Sequence, residues 1–262
     1  MTTPGLMLGV FFHIIINKTI ITLLKTAPPV VSHNFVPVGK IEIIIPIGTI
    51  LSTFNFKAIK RQDMAGGRKL EFDKQQALEA AMQVFWHKGY LGASLSDLTS
   101  SMGINKPSMY STFGNKEKLF LQATEHYIET YAKIHLAYLS QPDKPLRTRL
   151  KEYLLSVIAT QCDASTPMGC YVTLCMAEIA SGELPDQARE LISQASVFMP
   201  AMLEDLFNQD QEAIALGLDK TAKSNAISLA ALLNGTAAMA RLDYSLEELE
   251  PAIDNALDGI GL

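Results

Sequence analysis

From Phe72 onward, apolar residues return every three or four positions. Ala77, Leu78, Ala81, Val84 and Phe85 share one helical face. Asp73, with Gln76 three residues on, makes a capping box at the start of that helix, and Gly89 supplies its stop. The pattern predicts a helix over 74–88 with Trp86 near its end. Ser94 and Asp97 open a second helix striped by Leu95, Leu98 and Met102. Gly103 follows, free to take positive φ. Asn105 caps a third helix with Pro107 in its first turn, where a missing N–H costs nothing. Phe113-Gly114-Asn115 ends it, and Asn115 caps a longer fourth helix over 116–139.

Five more helical patterns follow. KPLRTRLKEYLLSVIATQ carries Leu146, Leu150, Tyr153, Leu154 and Val157 on one side. CYVTLCMAEIASG is nearly all apolar, so it should be buried. Pro185-Asp186 starts the next helix, with Pro200 placed to kink it. DKTAKSNAISLAALLNGTAAMARLDYS and SLEELEPAIDNALDGI close the chain. QPDKP and DASTPMG read as breaks. No strand pattern occurs after Met64, so an all-α fold of about nine helices is expected.

Residues 1–63 differ. Runs such as VFFHIIINKTIITLL and IEIIIPIGTIL are rich in β-branched residues, show no helical period and are broken by His13, Asn17, Lys18 and Pro46. A membrane span needs roughly 20 mostly apolar residues, and Asn17-Lys18 interrupts this one. Met1 to Gly9 lacks the basic start of a secretory signal. Three readings compete: an extension outside the working protein, with the true start at Met64; a poorly ordered tail; or a membrane anchor.

The net charge of −5 sits badly with a nucleic-acid partner, but its distribution changes the picture. Residues 64–127 hold seven basic and six acidic residues, and 140–262 hold eight basic and eighteen acidic. The front is neutral to basic, as suits a part that meets a polyanion. The three cysteines, Cys162, Cys170 and Cys175, fit no zinc spacing and suit a reduced, cytoplasmic protein. Phosphate loops, serine elbows, paired-carboxylate motifs and metal-spaced histidines are all missing from the sequence, so neither enzyme activity nor a cofactor is expected. The remaining alternative is a cysteine-dependent enzyme or a thiol-based redox sensor using Cys170 or Cys175.

Two short helices around Gly103 make a helix-turn-helix pattern. At 100° per residue Met109 and Phe113 fall together on the inner side of the third helix, with Pro107, Ser108, Tyr110 and Ser111 outside. Such a helix can enter a DNA major groove roughly 12 Å wide. Lys106 stands at its N-terminus, where backbone N–H groups also favour phosphate. A short Ser-rich helix after a glycine turn also occurs in ordinary all-α proteins. Tyr110 could equally pack its ring on the end of the first helix and leave only its hydroxyl in solvent.

Residues 68–120, including FDKQQALEAAMQVFWHKGYLGASLSDLTSSMGINKPSMYSTFGNKEKLF, resemble the N-terminal domain of TetR/AcrR-family transcriptional regulators. The matching features are Phe85 to Tyr90, the Ser94 cap, the Gly103 turn, Met109-Tyr110-Ser111-Thr112-Phe113, and Lys116-Glu117-Lys118-Leu119. The resemblance implies a helix-turn-helix DNA-binding domain over 68–115 and a helical regulatory and dimerisation domain over 116–262. It implies double-stranded DNA as partner, contacted by Ser94, Lys106, Pro107, Ser108, Tyr110, Ser111, Thr112 and Lys116. Ser111 and Thr112 stand where the family often has aromatic or His residues. A ligand-responsive repressor acting as a homodimer on a palindromic operator follows, with an unknown small-molecule effector, no membrane and a cytoplasmic, nucleoid-associated location.

In the back half, Tyr127, Tyr131, His135 and Tyr138 are pocket candidates on the fourth helix. Cys170, Tyr171, Cys175, Met176, Phe198, Met202 and Asn234 are others, although any one of these types is more often core. The helix of 220–242 carries Ala226, Leu229, Ala230, Leu233, Ala237 and Met239. With the final helix it forms either half of a four-helix dimer interface or ordinary core.

Overall fold

The computed structural model describes residues 72–262. The readings of 1–63, the Met64 start and the first residues of the 68–115 domain lie outside the described residues. Every regular element among the described residues is helical. They are α1 (Lys74–Gly92), α2 (Leu95–Ser101), α3 (Lys106–Phe113), α4 (Lys116–Tyr127), α5 (Leu146–Gln161), α6 (Tyr171–Ile179), α7 (Asp186–Gln209), α8 (Gln211–Ala215), α9 (Ala222–Ala240), α10 (Leu246–Leu249) and α11 (Pro251–Gly259). All nine expected segments are helical. The excess has two causes: Asp210 caps the additional short α8, and Pro251 begins a new helix where one closing helix was expected. Pro200 sits inside α7, which runs on from Asp186 to Gln209.

The capping residues read from sequence are in place, although Gln76 does not reach back to complete the box expected at Asp73. Asp73 accepts from the amides of Gln75 and Gln76, and Ser94 and Asp97 form a reciprocal box. Asn105 and Asn115 accept from the amides of Ser108 and Lys118, at 2.8 Å each. Each cap satisfies an amide that a helix start would leave unpaired. Gly89 breaks α1 at φ 72°, so its last residues form a separate turn.

The fourth helix differs from expectation. It stays α only to Tyr127, widens into a π turn over Ile128–Ala132, and then tightens into a 3-10 segment over Lys133–Tyr138. The Lys133 amide reaches back five residues to the Ile128 carbonyl. Apolar periodicity cannot forecast such a change, because its cause lies on another helix.

Two cores result. The first joins Phe85, Trp86, Leu98, Met109, Phe113, Phe120 and Tyr127 to Tyr171, Cys175, Ala188 and Ile192. The second joins Leu136, Leu150, Leu154, Leu203, Phe207, Leu229 and Ile253. The helical rod 116–138 therefore feeds both cores, through Phe120 and Tyr127 at one end and Leu136 at the other. Eight residues of isolated helix would not hold in water. Met109 and Phe113 hold α3 by burial, together worth about 3–6 kcal/mol.

Gly89 and Gly103 both have positive φ, but their surroundings differ. A Cβ on Gly103 would meet nothing within 4 Å, whereas one on Gly89 would sit 2.4 Å from Glu178 Oε1. Gly103→Ala should therefore cost only backbone strain, about 1–2 kcal/mol, or about 2–8 °C in Tm. Gly89→Ala should cost more, because the carboxylate must also move. Thermal unfolding of the two variants checks this; a smaller loss for Gly89→Ala would contradict the packing described.

Candidate nucleic-acid interface and the cavity behind it

With Met109 and Phe113 turned inward, the other side of α3 faces solvent. Lys106, Pro107, Tyr110 and Ser111 are exposed, Ser108 is partly so, and Tyr110 keeps 48% of its surface. The turn before α3 is closed by the Ile104 amide donating to the Thr99 carbonyl at 3.1 Å. Thr112 does not join this surface: its hydroxyl oxygen is enclosed and has no partner. The Ser94 hydroxyl is already engaged, accepting from the Asp97 amide at 3.0 Å and donating to Asp97 Oδ2 at 2.7 Å. Lys88 Nζ lies 2.7 Å from Asp97 Oδ1. The Lys88 and Ser94 bonds hold that carboxyl well below the usual range.

Lys116, at the start of α4, lies 4.4 Å from the centre of the Tyr90 ring. Partial burial lowers its pKa, and the negative charge of Glu178 opposes the shift. Tyr90 in turn packs edge-on against Phe120, with centroids 5.0 Å apart. The turn carrying Tyr90 is held from behind by α6. The Tyr90 and Leu91 amides donate to the two oxygens of Glu178, at 2.8 and 2.9 Å. A side chain from the back half thus caps the break in α1.

A second carboxylate explains the π turn. Glu79, on α1, takes His126 Nε2 at 2.6 Å on one oxygen and the Tyr131 hydroxyl at 3.0 Å on the other. His126 and Tyr131 are five residues apart. In an α-helix such residues diverge by roughly 140°; in the wider π turn they converge. Burial and the Glu79 bond push the Tyr131 hydroxyl up to about 12. The Tyr131 ring stacks on Tyr127 at 5.8 Å and meets Trp86 edge-on at 5.1 Å.

Behind this stack lies a cavity of about 140 Å³. The π turn and 3-10 segment supply Ile128, Tyr131, Lys133, His135 and Leu136; α5 supplies Tyr153, Val157, Thr160 and Gln161; α6, α7 and α9 complete the wall. Most polar groups on the wall are satisfied by the protein. Thr173 Oγ1 donates to Asn234 Oδ1 at 2.9 Å, and Gln161 bonds the Leu233 carbonyl and the Thr236 hydroxyl. His135 pairs through Nδ1 with Ser156 Oγ, and burial lowers its pKa, so the ring stays neutral.

The sequence profile of the bacterial regulatory proteins of the tetR family matches residues 77–123, which hold most of α1, all of α2 and α3, and the start of α4. The repressor ComR of Escherichia coli K12 is 36% identical over 106 residues, covering 40% of this chain and 50% of that protein. BdcR, a repressor from the same organism, is 30% identical over 190 residues, covering 72% of this chain and 90% of that protein. The chain belongs to the TetR family. A cysteine-substituted form of the TetR-family regulator CifR, solved with 26-base-pair operator DNA, has a TM-score of 0.65 and 28% identity; it covers 73% of this chain and 98% of CifR.

In this TetR-family chain, six of the eleven pocket candidates are Tyr131, His135, Cys170, Met176, Phe198 and Asn234, all of which line the cavity. Tyr127 does so too, while Tyr138 stands partly exposed elsewhere. Tyr171 and Cys175 lie on the other face of α6, inside the first core, and Met202 lies in the second. The α6 helix is not buried throughout as expected: Tyr171 and Cys175 are buried, Ala177 is exposed and the rest are partly covered, so an apolar composition could not distinguish its cavity face from its core face. Cys175 is wholly buried, and burial pushes its thiol far up. Cys170 Sγ lies 3.6 Å from the Tyr127 hydroxyl. Sequence reasoning missed Tyr153, whose signal was a lone hydroxyl in the aliphatic stripe of α5. Among the described residues, no helix is long and apolar enough to cross a membrane.

Removing the Glu79 carboxylate should free the π turn. Glu79→Ala should lower stability by about 1–3 kcal/mol, since two buried or half-buried partners lose their acceptor. Amide exchange over 128–133 should accelerate more than over 116–123. Uniform acceleration along the rod would show that Glu79 is not what sets the turn.

Proposed function

We propose that the protein is a cytoplasmic transcriptional repressor. It binds a palindromic operator as a homodimer and leaves it when a small molecule fills the cavity. The observation that carries this reading is the outward side of α3. A half-exposed tyrosine, a free lysine and small residues cover a helix whose inner side is anchored by Met109 and Phe113. ComR and BdcR are repressors, and CifR has been solved on operator DNA, which supports the same use of the matching helices here.

Lys106, Ser108, Tyr110 and Ser111 then meet the duplex, with Pro107 at the groove edge. Lys116, held over Tyr90, offers one charge at the start of α4. Ser94 reaches a phosphate only by sharing its hydroxyl with Asp97, and Thr112 supports from within. Two α3 helices would enter successive major grooves roughly 34–36 Å apart.

Of the two readings of the α9 stripe, ordinary core fits all but Met239, which is exposed, so dimerisation uses the outward face of the helix. Ala226, Leu229, Ala230, Leu233 and Ala237 are buried within their own protomer. Ile227, Ala231, Gly235, Ala238 and Leu242 form an exposed stripe at spacings of three and four. Leu242 keeps 72% of its surface, and small neighbours let a second helix approach. Cavity occupancy reaches DNA because the π turn that lines the cavity continues directly into α4. The effector shifts the balance by its differential affinity for the two arrangements.

Lys106→Ala should weaken binding at every sequence and reduce the slope of log affinity against log salt by about one per protomer. Tyr110→Phe should weaken binding with the slope unchanged. Fluorescence anisotropy on a duplex from the gene's own flank, across a salt series, reads both. Parent-like binding by Lys106→Ala at all salts would refute the phosphate contact.

A further inference from the structure

The cavity carries its own chemical specification, given the reading above that it is an effector site. Tyr153 keeps 4% of its surface and lines the cavity. Its hydroxyl has no hydrogen-bond partner among the described residues. It is also not sealed in: the wholly enclosed, unpartnered side-chain oxygens among the described residues are Thr112 Oγ1 and Asp219 Oδ1. The surface left to the Tyr153 oxygen is therefore the cavity. Burial, reinforced by neighbouring Cys170, keeps the phenol protonated. It is thus a standing donor whose desolvation nothing in the protein offsets.

The rest of the wall disfavours charge. Lys133, the wall's cation, is paired with Glu129, and His135 is held neutral by burial. Among the residues that line the cavity, a bound carboxylate would meet no cation but the paired Lys133, and an ammonium no anion; Arg241, beside Gly169 and Cys170, is not in the lining and donates to the Trp86 carbonyl. The enclosed space suits a small guest. At about 140 Å³ the cavity is close to the roughly 150 Å³ apolar cavity that takes up benzene in another protein. Rings and sulfur line it, through Tyr127, Tyr131, Phe198, Met176 and Met199, and these favour an aromatic guest.

We infer that the effector is a neutral aromatic molecule of about one ring, carrying a single acceptor oxygen that the Tyr153 hydroxyl grips. Phenol, toluene and benzoate are the probes, titrated into the purified full chain by calorimetry and protein NMR. Phenol should bind with benzoate at least tenfold weaker. Tyr153→Phe keeps the ring and removes the donor, so phenol should weaken about fivefold while toluene is unchanged. Val157→Phe, which fills the cavity and leaves the hydroxyl in place, should abolish binding of both. Equal affinity for benzoate, an unchanged phenol affinity in Tyr153→Phe, or no phenol binding at 10 mM (roughly the weakest range expected of so small a ligand) would overturn the inference. Adding phenol to the protein–operator complex separates the two readings. If phenol binds at Tyr153 but leaves the operator complex intact, the ligand class stands and the release mechanism fails.

Discussion

One carboxylate sets the relation between the two ends of the molecule. Glu79 reaches from α1 to His126 and Tyr131, five residues apart on the rod 116–138, where the rod widens into a π turn. The turn then presents Ile128, Tyr131 and Ala132 to the cavity. The same rod begins at Lys116, beside Tyr90 and the exposed side of α3. A change in how Tyr131 sits cannot stay local. Its ring is stacked on Tyr127 and Trp86, and Trp86 is tied to the back half through Gly169 and Arg241. Close-packed interiors pass such shifts on rather than absorb them.

Glu178 makes the connection a second time, from a different helix. It stands on α6, whose Val172, Thr173 and Met176 line the cavity, and it caps the amides of Tyr90 and Leu91. Two helices with one face on the cavity therefore each deliver a contact to the helix-turn-helix unit. These contacts are the physical path on which the proposed effector response depends.

Much of this was legible in the sequence because it is local. Asp73, Ser94, Asn105 and Asn115 cap what they were expected to cap, since a cap depends on three or four consecutive residues. The inward turn of Met109 and Phe113 follows from helical period alone. What the sequence hid is long-range. Glu79 and Tyr131 are 52 residues apart, and Tyr90 and Glu178 are 88 apart. Nothing in either segment announces its partner. The face of α6 was unreadable for a related reason: in so apolar a helix Tyr171 and Cys175 look no different from Met176, yet only the first two are buried. On α9 the bulkier stripe, Leu229 and Leu233, was needed at home, leaving the small-residue stripe outward.

Hydrogen exchange with and without bound DNA tests the coupling most directly, using a duplex from the flank of the protein's own gene. Shared use of the rod 116–138 predicts slower exchange at Lys106–Ser111 and also over the π turn, Ile128–Ala132, which DNA cannot touch. Protection confined to α2, α3 and the first turn of α4, with 128–132 unchanged, would mean that the cavity and the DNA face are independent.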